Sequence, residues 1–226
     1  MPDNSICYIL GSGPSIKKQD LSVLKNKTVF CANWFINHND IKNLNVNFYT
    51  AYDPAFVTPA VNQEWLRKIQ RLENCIYFFP ESWREMINIK NTEWVTTDFD
   101  NKVYEDKEFH WNSQKGFYDG GTVIINMCIP LAIEMGFKQI FLLGCDCSYG
   151  ITQNKGLSSA YFYDMAHHKT EMKHDSNSEK IWQKNIMKSY QKVKKIIDRT
   201  DIEIFNATEG GELEVFERKS LAESIK

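Results

Sequence analysis

No run in this 226-residue sequence approaches the roughly 20 consecutive apolar residues that span a bilayer. Residues 1–5 (MPDNS) lack the basic and apolar stretches of a secretory signal, so neither export nor membrane insertion is expected. An excess of one charge is also missing. Lys and Arg number 27 against 29 Asp and Glu, and a net charge of −2 gives nucleic acid no electrostatic basis as the main partner. The six cysteines, at positions 7, 31, 75, 128, 145 and 147, show no zinc-ligand spacing. Cys145 and Cys147 stand too close together and have no His or Cys set beside them. Cys7, Cys31 and Cys75 fall in strand-like apolar runs, where thiols serve as small core residues. The expectation is a reduced, cytoplasmic protein with no resident cofactor or metal. No repeat or low-complexity linker divides the chain. A composition of 42% hydrophobic and 25% charged residues suits one domain over 1–226. Lysines gather over 180–195 on a helical pattern and read as a solvated face, with peripheral contact at the inner side of a membrane as the lesser alternative.

What is present begins at the N-terminus. An apolar, β-prone run over 6–10 breaks at once into Gly11, Ser12, Gly13, Pro14 and Ser15. Glycines let the backbone approach a ligand, Pro14 suits a first helical turn, and free amides there favour an anion. That is the usual strand–turn–helix cradle for a nucleotide phosphate. The third glycine of a dinucleotide fingerprint is absent, as is a Gly-Lys-Ser/Thr loop, which disfavours an NAD site or a P-loop.

Strand-like runs recur over 6–10, 28–32, 47–52, 75–79, 139–143 and 202–205, with helical periodicity over 62–72, 122–135 and 180–200. Pro130 should kink the second of these helices. The alternation predicts an α/β, Rossmann-like fold: a mostly parallel sheet with helices on both faces. Two segments break the pattern and are expected as an insert (81–118) and a lid loop (150–178).

Ligands of open parallel sheets lie beyond the carboxyl ends of the strands. Candidate positions there are Gly11–Ser15, Asn33, Asp53, Asp146 and a second glycine turn, Gly120, Gly121 and Thr122. The plainer reading makes Asp53 and Asp146 turn or cap residues. Among histidines, His38 and His110 read as surface residues. His174 sits just before the cap of the third helix and is a candidate general base.

The stretches 9–15 (ILGSGPS), 119–123 (DGGTV), 132–136 (AIEMG), 140–146 (IFLLGCD) and 206–211 (NATEGG) resemble the MptE-like/DUF115 family. That family joins archaeal 6-hydroxymethylpterin diphosphokinases and bacterial Maf proteins that glycosylate flagellin. The same skeleton is similar to bacterial family 42 sialyltransferases, which use CMP-sialic acid. That resemblance implies nucleotide contacts at Gly11–Ser15 and Asn33, a lid tyrosine pair at Tyr161 and Tyr163, and a catalytic base at His174. Asp53 stands where those enzymes have asparagine.

Three functions follow. The first is a glycosyltransferase with a nucleotide-sugar donor, CMP-nonulosonic-acid-like, and a glycan or glycoprotein acceptor in surface-polysaccharide or glycoprotein biosynthesis. The second is an ATP-dependent diphosphokinase, for which Asp53 and Asp146 would hold Mg²⁺. The third is a nucleotide- or glycan-binding protein without chemistry.

Overall fold

The computed structural model describes residues 5–105, 116–148, 161–163 and 176–225. Its main sheet has eight strands: β1 (Ile6–Leu10), β2 (Val29–Ala32), β3 (Val46–Thr50), β4 (Ile76–Pro80), β5 (Thr92–Val95), β8 (Gln139–Leu143), β9 (Glu203–Asn206) and β10 (Glu217–Arg218). The order is β10-β9-β8-β1-β2-β3-β4-β5, and all neighbours are parallel. Two further strands, β6 (Thr97–Lys102) and β7 (Phe117–Asp119), pair as a separate small sheet.

Successive side chains of a strand point to opposite faces, and the sheet uses this to build two cores. Cys7, Ile9, Ile140, Leu142 and Ile204 point to one face, packed by Ile186, Tyr190, Val193 and Ile197 of α3 (Ser176–Ile197). Tyr8, Leu10, Phe141, Leu143 and Phe205 point to the other, where Trp65 and Ile69 of α1 (Pro59–Ile69) join them. All six cysteines are buried and free.

The connections after β1 and β2 are short 3-10 helices, Pro14–Lys18, Leu21–Leu24, Asn33–Asn37 and Asn39–Asn43, rather than α-helices. The helix around Pro130 is divided as its chemistry requires. A π-helical turn, Ile124–Cys128, gives way to α2 (Ile129–Glu134), with Pro130 in the first α turn, where its missing N–H costs least. The segment 81–118 supplies β5 to the edge of the main sheet and then enters the small sheet. Most of 150–178 lies outside the described residues.

Strand order reverses direction at β1 and β8. The chain leaves β1 toward β2 on one side, and it leaves β8 toward β9 on the other, so the switch point of the strand order lies between β1 and β8, where open parallel sheets bind their ligands.

Candidate functional site

Three loops meet at the carboxyl end of that switch point. The Gly11 amide donates to Leu143 O (2.7 Å) and the Gly13 amide to Gly144 O (2.8 Å), binding the first turn to the end of β8. Asp146 closes the join. Its carboxylate accepts from the Ser15 hydroxyl at 2.7 Å and from the Ser15 amide at 3.2 Å. The third loop, after β9, reaches over both. The Cys145 amide donates to Thr208 Oγ1 (3.0 Å), and the Glu212 amide donates to Asp146 O (2.7 Å). Asp146 is only 7% exposed. Burial pushes its pKa up, and the two Ser15 bonds partly counter that.

Glycine is required here by close approach. A Cβ on Gly13 would stand 1.9 Å from Asp146 Oδ2, and one on Gly211 2.7 Å from Asp146 Cα. Gly13 itself has φ −66°. The sequence reading set Gly13 against a ligand phosphate, and in the fold its close neighbour is the chain's own Asp146. The amides of Gly11, Gly13 and Ser15 are all committed internally, and that of Ser12 has no partner among the described residues.

The segment 161–163 docks on the same turn. The Phe162 amide donates to Ser12 O at 2.9 Å, and the Phe162 ring enters a socket of Phe35 (centroids 5.7 Å apart) and His38 (5.0 Å). His38, expected at the surface, is 7% exposed and stacks on Phe35, and its burial lowers its pKa. On either side of the Phe162 plug, Tyr161 and Tyr163 stack at 5.3 Å. Burial foremost holds both phenols above the ordinary tyrosine range; the Asp53 carboxylate adds to this at Tyr161, and Tyr161 and then Asp53 add to it at Tyr163. Asp53 also accepts from the Ala55 amide at 2.9 Å, capping the turn after it.

Asn33 stands at the end of β2 with φ +48°, a left-handed conformation that costs energy in a non-glycine residue. Its carbonyl accepts from the buried Tyr49 hydroxyl, which in turn accepts from Trp65 Nε1, and its side chain accepts from the Tyr52 amide. This network holds the strained residue in place.

The second glycine turn is built separately. The Gly120 amide donates to Asn126 Oδ1 and the Gly121 amide to Asp119 Oδ1, while Lys102 pairs with Asp119 at 2.9 Å. Asp119 lies close enough to the buried Tyr52 hydroxyl to raise its pKa, after burial itself. No hydrogen bond among the described residues joins Gly120, Gly121 or Thr122 to the Gly11–Ser15 turn. His174 lies outside the described residues. Phe162 and Arg218, which secure the site, were not singled out by the sequence, and His38 was read only as a surface residue. Only the NATEGG stretch at 206–211 pointed toward the loop that Arg218 holds.

Solved structures share this architecture. The sialyltransferase CstII from Campylobacter jejuni with cytidine-5'-monophosphate aligns at TM-score 0.57 and 19% identity, over 98% of this chain and 86% of that one. CstII with CMP-3FNeuAc aligns at 0.56 and 18%, over 95% and 85%. The monofunctional alpha-2,3-sialyltransferase Cst-I from the same organism aligns at 0.51 and 16%, over 91% and 77%. A comparison with curated protein sequences returns no match. One family model, described as 6-hydroxymethylpterin diphosphokinase MptE-like, matches residues 2–152. That match spans more than half of the chain and takes in both glycine turns and Asp146, and the chain belongs to the MptE-like family.

Proposed function

We propose that the protein is a glycosyltransferase taking a sugar from a nucleotide-activated donor, CMP-nonulosonic-acid-like, for surface-polysaccharide or glycoprotein assembly. The observation that carries this reading is the Tyr161–Tyr163 stack, anchored by Phe162 on the turn at the switch point of the sheet. A phenol is protonated at neutral pH, so each can donate a hydrogen bond to a phosphate oxygen as charge develops on it. A cytidine nucleotide in the donor is supported by structures similar in fold that were solved with CMP or CMP-3FNeuAc. The acceptor hydroxyl attacks the anomeric carbon, and the bond from that carbon to the phosphate oxygen breaks. The nucleotide leaves with the electron pair, and His174 takes the acceptor's proton. Ser12, Asn33 and the second glycine turn are the groups offered to the nucleotide in this reading.

The family match favours a second reading, pyrophosphate transfer from ATP. Such chemistry neutralises phosphate charge with Mg²⁺, held by carboxylate oxygens. Asp146 does not fit that role as it stands, being buried and already accepting two bonds from Ser15. Asp53 is exposed and has one oxygen engaged in its cap.

Calorimetric titration with CMP, CDP, UDP and ATP, followed by transfer assays with CMP-activated sugars with and without EDTA, tests the choice. Tight CMP binding and EDTA-insensitive transfer are expected. Strict Mg²⁺ dependence with ATP as substrate would move the assignment to the diphosphokinase, and CMP binding without turnover would leave a binding protein.

A further inference from the structure

Arg218 is 72 residues from Asp146 in sequence, yet its guanidinium is spent on the loop that seats it. Nη1 donates to the carbonyls of Thr208 (3.0 Å) and Gly210 (2.9 Å), and Nη2 donates to that of Gly211 (3.2 Å). Nε and Nη2 also hold the Glu214 carboxylate, at 2.6 to 3.1 Å. A rigid planar fork with five N–H donors can serve this many acceptors at once, and a lysine cannot.

The loop held this way fixes Asp146 at two points and its neighbour Cys145 at a third. The Glu212 amide donates to the Asp146 carbonyl, Gly211 lies against the Asp146 backbone, and Thr208 Oγ1 accepts from the Cys145 amide. Asp146 in turn holds Ser15. Each link is a direct contact, so the path from Arg218 to the Gly-x-Gly turn is unbroken. On its other side the loop borders a cavity of about 520 Å³, lined in part by Gln19, Leu221 and Ile225, which leaves it room to shift. Asn206 staples the loop internally, to the Thr208 amide and the Leu213 carbonyl, so it would loosen rather than unfold without Arg218.

We propose that Arg218 is a positioning residue that sets where Asp146 and the Gly-x-Gly turn stand, and thereby tunes nucleotide binding without touching the nucleotide. The proposal deepens the reading above and rests on it for the nucleotide alone.

Amide hydrogen exchange on the full chain, wild type against Arg218→Met and Arg218→Lys, tests the path directly. Exchange at Glu212, Cys145 and Ser15 should quicken about tenfold in Arg218→Met, the fold-change for losing roughly one hydrogen bond to a charged group. The β1 and β8 amides should keep their wild-type rates. CMP affinity should fall by a similar factor and recover in part with low-millimolar guanidinium, which refills the fork. Should Arg218→Met fail to fold, Arg218→Lys keeps the charge and should show the same pattern more weakly. Wild-type exchange at Cys145 and Ser15 in both variants would overturn the proposal. Absence of CMP binding by the wild type would count against the nucleotide reading, while the exchange data would still decide the role of Arg218.

Discussion

Replacing Gly13 with alanine tests the join between the loops most directly. The backbone there, φ −66° and ψ 154°, is one any residue adopts, so the demand for glycine is steric. The new methyl would lie 1.9 Å from Asp146 Oδ2, 2.6 Å from its Cγ and 2.7 Å from Gly144 O. The carboxylate can swing aside only by releasing Ser15, and the Gly144 carbonyl belongs to backbone at the end of β8. Hydrogen bonds to a charged group contribute about 1.5–3 kcal/mol each. With two at risk and some solvation regained, a loss of about 3 kcal/mol is expected. For a chain of this length that corresponds to a fall in Tm of about 6–12 °C. Scanning calorimetry or urea unfolding measures it. In an Asp146→Ala background the same substitution should cost at least about 1 kcal/mol less, because the clash with the carboxylate is gone. A Gly13→Ala protein melting within about 2 °C of wild type, or fully additive double mutants, would refute the steric account.

Asp146 also makes stability depend on pH. Its pKa is raised on folding, so the native state binds the proton more tightly than the unfolded chain. Its contribution is therefore fully present below the unfolded value and is lost as pH rises through the folded one. Asp146→Asn cannot titrate, so the unfolding free energy of wild type relative to this variant should be larger at pH 4 than at pH 7, measured by urea unfolding at both. His174→Ala should lower transfer about 10²–10⁴-fold with CMP affinity and Tm near wild type, and wild-type turnover should decline as pH falls through the imidazole pKa. Joint replacement of Tyr161 and Tyr163 by Phe should lower kcat about 10²-fold in the same assay, since it removes both phenol donors and keeps the stacked rings.

The sequence alone determined what depends on neighbours along the chain. Alternating apolar runs marked β1 and β8 to the residue and the other core strands to within a residue or two. Helical periodicity over 180–200 marked α3, whose Ile186, Tyr190, Val193 and Ile197 meet the sheet. Glycine turns and carboxylates at strand ends marked the end of the sheet where these loops come together, because parallel strands deliver all their carboxyl ends to one edge. What each residue does there was decided by partners far away in sequence. Ser15 and Asp146 are separated by 131 positions, and nothing local distinguishes an aspartate that meets a ligand from one that clasps a serine. His38 became a buried ring only because Phe162 and Phe35 close around it. The helix expected after Gly13 is a 3-10 turn of five residues, ended where Gln19 reaches across to the Ala207 carbonyl after β9. Periodicity records which face of an element is apolar. Tertiary packing decides which loops then come within hydrogen-bonding distance, and here it joined Gly-x-Gly, Asp146 and the Arg218-held loop into one structure.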